Sequence, residues 1–143
     1  MCMRIDQKKT ALKAQENAQM KECVFFKVFC LDGHRLIPLY QRVVTYDGDV
    51  VDKEGFFNAR KNPILIALGP RGVEDKGYIE SGAYHAYCTQ EAATRCTTYL
   101  EPCYPSVVVR EVQVPVGSIL GYGDSGDVAF SRMKICFEDG EHV

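Results

Sequence analysis

Several features are missing from the 143-residue chain, and each absence narrows what it does. No run approaches the ~18 apolar residues of a membrane helix. The N-terminus, M-C-M-R-I-D-Q-K-K-T, is charged and lacks the apolar stretch of a secretory signal, so the sequence reads as cytoplasmic. There is no basic excess. Net charge is -2 and the densest basic clusters, Lys8-Lys9 and Arg60-Lys61, are short. That pattern speaks against a nucleic-acid binder and fits a solvated surface. None of the seven cysteines sits in a C-x-x-C pair, and the spacing of Cys88, Cys96 and Cys103 matches no zinc knuckle or ribbon. An odd cysteine count without a secretory signal indicates free thiols, used as small core residues. No internal repeat, linker or low-complexity tract is present, and no catalytic motif of high specificity.

What is there is one domain's worth of core: 46% of residues are apolar. Residues 6–20 predict a short helix, capped by Asp6 or Thr10, with a thin stripe of Ala11, Ala14 and Ala18. Residues 1–21 form an N-terminal helical segment, and 22–143 a single compact α+β domain. Glu22 to Cys30 predicts a central strand, apolar on both faces apart from Lys27. Pro38 places the next strand at a sheet edge or bulge. Arg42–Tyr46 predicts a further strand before Asp47-Gly48, and Val50-Val51 the return. Residues 52–62 read as a loop with at least one aromatic anchor among Phe56 and Phe57. Ile64–Leu68 predicts a strand, and 71–82 an irregular loop.

The best-ordered pattern begins at Ala83. Along Ala83–Cys88, Tyr84, Ala86 and Cys88 share one strand face and His85 and Tyr87 the other. Thr89 caps a helix reaching about Leu100, with Ala92, Ala93, Cys96, Tyr99 and Leu100 as its buried stripe. Val107–Val114 is a β-branched strand, bent by Pro115 and Gly117. Ser118–Tyr122 is a short strand and 123–127 a tight connection. Val128–Glu138 is the last strand, with odd positions facing the core. The tail, Asp139–Val143, is expected to fray. The fold class is α+β: a mainly antiparallel, twisted sheet of six to eight strands with one or two short helices.

Two resemblances bear on function. The matches Met1-Cys2 with Ile5-Asp6, Lys27-Val28, Asp32-Gly33, Gly82 to Ala93, Val112 to Ser118 and Val128 to Ile135, with Pro38-Leu39-Tyr40 more loosely, resemble small uncharacterised proteins of gut Bacteroides-type bacteria and their phages. That resemblance implies a small domain and assigns no catalytic residue. The Val107–Gly117 strand after a short helix looks like part of the split sheet of ADP-ribosyltransferases, where a strand glutamate orients the ribose of NAD. It implies Glu111 as that residue, although the His-Gly pair of such enzymes here reads Gly33-His34.

His85 is the residue best suited to proton transfer or ligand binding, set against a structural histidine bonded to backbone. Cys88 points to the other strand face, so a Cys–His dyad needs a cysteine from elsewhere, or His34 with Cys30 or Cys103. Cys2 becomes an N-terminal nucleophile only if Met1 is removed. The leading expectation is a non-enzymatic interaction or accessory domain, carried by a phage or mobile element. It needs no cofactor and binds a protein partner or a second copy of itself, with no nucleic acid and no membrane. The alternative is an NAD-using transferase with His85 and Glu111 at one cleft.

Overall fold

The computed structural model describes residues 3–38, 50–59, 65–67, 76–79, 83–100 and 106–143. It is α+β and mainly antiparallel sheet, as the sequence predicts. The chain opens with β1 (Met3–Asp6) and α1 (Gln7–Glu16), then β2 (Glu22–Asp32) and β3 (Arg35–Pro38). Short strands β4 (Val50–Val51), β5 (Phe57–Asn58), β6 (Leu65–Ala67) and β7 (Lys76–Ile79) follow. Next come β8 (Tyr84–Tyr87), α2 (Gln90–Leu100) and β9 (Val107–Pro115). A 3₁₀ turn at Val116–Ser118 leads to β10 (Ile119–Tyr122), β11 (Asp127–Phe130) and β12 (Arg132–Ile135).

The described strands form two antiparallel sheets. One has the order β1-β7-β6; the other, of nine strands, runs β10-β11-β8-β2-β9-β12-β5-β4, with β3 paired to the outer part of β2. The backbone of the large sheet is the β2–β9 ladder, unbroken from Glu22↔Pro115 to Cys30↔Val107. It forms because an aromatic-rich stretch and a β-branched stretch meet in register along the whole of β9. β11 and β12 are separated only by Ser131, yet β11 pairs with β8 and β12 with β9. One bent strand thus joins both flanks of the β8-β2-β9 segment and curls the sheet around its core.

The bend corrects the predicted parity of the last strand. Val128 and Phe130 face the core before Ser131, and Met133 and Ile135 after it. The extra residue shifts the alternation by one, as a bulge does. Phe137, predicted to face inward, is 41% exposed. Inside the curl lie Phe25, Phe29, Tyr84, Val112, Val114, Val128, Phe130 and Met133. Phe25 stacks on Phe130 at 6.0 Å and meets the edge of Tyr122 at 6.2 Å. Burying each such side chain contributes about 1.5–3 kcal/mol.

α2 packs on the opposite face of β2. Thr89 Oγ1 accepts from Ala92 N–H at 3.1 Å, which is the predicted cap. Ala93 is buried and shares a cluster with Val28. Tyr99 departs from the predicted stripe: it is 83% exposed, while Thr97 is buried and donates to the Thr94 carbonyl at 2.6 Å. The buried arc centres on Ala93, Thr97 and Leu100, so a side chain as large as Tyr99 at its margin turns to water.

α1 buries no residue and is held by polar ties. Asp6 accepts from Lys9 N–H at 3.0 Å, Thr10 Oγ1 accepts from Tyr122 N–H at 3.0 Å, and Asn17 donates to the Tyr122 hydroxyl at 3.2 Å. β1 precedes it, unforeseen in the sequence, and seats Ile5 beside Ala129 and Leu120. β7 falls where a loop was predicted; its K-G-Y-I sequence becomes a strand because both edges are paired, to β1 and to β6. The predicted strand Arg42–Tyr46 lies outside the described residues. Phe56 and Phe57 anchor the 52–59 segment, at 5% and 6% exposure.

The tail does not fray. His142 N–H donates to the His34 carbonyl at 2.9 Å, and Leu36 N–H to that of His142 at 2.8 Å. Glu141 receives Arg110 in a two-pronged bond at 2.9 and 2.7 Å. Val143 packs against the main core. The apparent polarity of E-D-G-E-H-V hides one carboxylate aimed at a half-buried guanidinium.

Candidate functional site

His85 sits where β8 alternation puts it, outward beside Tyr87 while Tyr84 and Ala86 point into the core. Its Nε2 lies 3.5 Å from Asp127 Oδ2, and its ring meets Tyr87 edge-on at 5.3 Å. The β8–β11 register, Asp127↔Tyr87 and Ala129↔His85, brings the two onto one face. At 3.5 Å the contact is at the outer limit of hydrogen bonding, so the carboxylate steers the imidazole more than it couples to it.

Asp127 is fixed by the β10–β11 connection. Its Oδ1 accepts from Ser125 N–H at 3.3 Å, and its backbone carbonyl from Gly123 N–H at 2.9 Å. A Cβ at Gly123 would stand 2.1 Å from Oδ1, so only glycine permits this approach. Lys9 Nζ donates to the Gly123 carbonyl at 3.1 Å and braces the loop from α1. Burial works against ionising Asp127, but His85 and the local N–H groups outweigh it and hold the carboxyl below its ordinary range.

Next to Tyr87 a groove of ≈ 690 Å³ opens between α2 and the β10–β11 loop. Tyr87, Ala92, Cys96 and Leu100 line its apolar part; Asp124, Ser125 and Gly126 form the far wall. Arg95 and Tyr99 stand one helical turn apart on the near wall. Arg95 also borders a second hollow with Gln90, Glu91 and Thr94. Gly126, at φ +76°, turns the loop and donates no side chain, and its carbonyl accepts from Cys88 N–H at 2.8 Å.

Glu111 is elsewhere. Phe26 of β2 pairs with Tyr87 on one side and Glu111 on the other, so β2 lies between the strands of His85 and Glu111. Two strand spacings and a two-residue offset put their backbones more than ~10 Å apart. Val28, in the row beside Phe26, is covered by Ala93 of α2. The structure does not bring the two predicted residues into one cleft; alternation put both on the same sheet face without saying which strand intervenes.

Cysteine chemistry gains no support from the surroundings. Burial pushes the Cys23, Cys30, Cys88 and Cys136 thiols up, away from the thiolate a nucleophile needs. Cys88 packs toward the core, away from His85, as strand periodicity predicts. Cys2 and Cys103 lie outside the described residues. Among the described residues no group of three or more His, Cys, Asp or Glu is placed to hold a metal, and no helix is long and apolar enough to cross a membrane.

In the sequence Lys27 stands only as the polar exception in a central apolar strand. It is 5% exposed on the core face of β2, and its Nζ donates to the His85 carbonyl at 2.6 Å. The amine also lies 5.7 Å from the Phe29 ring centre. Desolvation drives its pKa down to about 7. Arg110 stands directly opposite on β9, neutralised by Glu141 and, at 3.3 Å, by Glu138. A lone lysine in an otherwise apolar strand was the available signal.

No family model, no curated protein and no solved structure matches the chain.

Proposed function

We propose that this protein is a non-enzymatic interaction domain that takes a segment of a partner protein into the groove between α2 and the β10–β11 loop. The observation that carries this reading is Tyr99: an aromatic ring 83% exposed at the lip of a concave, partly apolar surface, with Arg95 one turn away. Tyrosine and arginine beside a pocket are the residue types that dominate binding energy at protein interfaces. The apolar floor of Cys96 and Leu100 accepts a side chain of the partner, and Asp124 to Gly126 form the polar wall opposite. Asp127, bonded to its own loop and to His85, serves as the brace of that wall.

The test is selection of binding peptides from a displayed random library against the folded protein. Peptides of the expected class lose at least tenfold in affinity against Tyr99→Ala and against Arg95→Ala, with both variants fully folded. If every selected peptide binds the two variants as well as the parent, the groove is not the binding surface.

A further inference from the structure

The sheet face that carries α2 is only partly covered by it. α2 shields Val28, Val107 and Val109. Further along the same face Val24 is 48% exposed, and Glu111, Lys134 and Cys136 are exposed as well. The register assembles them into one patch. Val24, Gln113 and Lys134 form a row across β2, β9 and β12. Phe26 and Glu111 begin the next row, and Cys136 N–H reaches the Glu111 carbonyl at 3.0 Å.

Glu111 and Lys134 lie on neighbouring strands, and neither has an ion-pair partner among the described residues. Lys134 Nζ lies 5.9 Å from the Phe56 ring centre. The patch joins the exposed valine to an anion, Glu111, and a cation, Lys134, with a second exposed carboxylate, Glu22, at its edge; the Glu111–Lys134 pair makes it complementary to itself. Turned by a two-fold axis, the carboxylate of one copy meets the amine of the other while the apolar side chains meet at the centre. Sheet faces stack in this manner at about 10 Å.

We propose that this strip, Val24 with Glu111, Gln113 and Lys134, is an isologous interface with a second copy of the chain. It lies across β2, β9 and β12, whereas the groove opens between α2 and the β10–β11 loop. The strip is smaller than the roughly 20–30 residues a side of a standard interface. The dimer is therefore weak, half-formed at roughly 10–100 μM, a Kd equivalent to about 5–7 kcal/mol.

Sedimentation velocity between about 5 and 500 μM tests this on the full chain. The parent is expected to shift from monomer to dimer. Glu111→Lys makes both members of the pair cationic and Lys134→Glu makes both anionic, so each variant alone is expected to weaken self-association at least tenfold. An equimolar mixture of the two is expected to recover dimers, as is the double variant. Glu111→Gln and Lys134→Gln, milder changes at the same exposed positions, are expected to weaken the dimer by less. A parent that stays monomeric at 500 μM overturns the proposal. So does a dimer indifferent to both charge reversals, or one that neither the mixture nor the double variant restores.

Discussion

Lys27 makes the stability of the fold depend on pH in a direction opposite to ordinary alkaline denaturation. Its amine titrates at about 7 in the folded protein and near 10.5 when exposed. Between those values the unfolded chain holds a proton that the folded chain has released. Unfolding therefore becomes harder as pH rises through this window, at about 1.4 kcal/mol per pH unit where the difference is a full proton. From pH 6 to 9.5 the contribution sums to about 3 kcal/mol. The net rise in stability levels off above pH 10, where Tyr122, pushed up to about 12 by burial beneath α1, begins to withdraw stability. The perturbation is Lys27→Met, which keeps the volume and removes the titration. It leaves the His85 carbonyl without this donor, a cost of about 1–2 kcal/mol that does not vary with pH. Urea unfolding followed by circular dichroism at half-unit pH steps gives the difference in stability between parent and variant. That difference is expected to move in favour of the parent by about 3 kcal/mol across the window. A difference constant within 0.5 kcal/mol, on the order of the extrapolation error, refutes the reasoning and means that the amine stays charged in the core.

Three further outcomes are expected. Glu141→Gln leaves Arg110 without its two-pronged carboxylate and destabilises the fold by roughly 1–3 kcal/mol, with faster amide exchange at His142 and Leu36; unchanged exchange would show that the tail is held without the ion pair. Gly123→Ala forces the Asp127 carboxylate aside and destabilises the fold by roughly 1–3 kcal/mol, and the His85 ring resonances move; an unaltered imidazole spectrum would remove Asp127 from its environment. Millimolar NAD leaves the melting temperature unchanged, because His85 and Glu111 stand on different strands with β2 between them; a rise of several degrees would return the transferase reading, since any ligand of the folded state must stabilise it.

Much of the fold was legible where local chemistry and tertiary demand agree. β2, β9 and α2 carry their own patterns: an aromatic-rich and a β-branched apolar run, and a threonine cap before small apolar residues at helical spacing. The errors fall where a distant partner decides. β7 has a weak strand sequence and exists through two neighbours. Ser131 shifts the core parity of the last strand because its two halves serve opposite flanks of the sheet. The polar tail looked loose because nothing in E-D-G-E-H-V reveals that Arg110 waits for a carboxylate. At the site, strand alternation placed His85 and Tyr87 on one face and separated Cys88 from them. It could not place Asp127, whose approach depends on a glycine turn closing from the next strand. Nor could it separate His85 from Glu111, because strand order is a property of the whole chain.

The groove beside α2 is tested most directly by mapping amide shifts in a ¹⁵N-labelled sample titrated with a peptide selected on the native protein. The largest changes are expected at Tyr87, along Ala92 to Leu100 and across Asp124 to Gly126. Changes confined to other surfaces, with those resonances still, would contradict it.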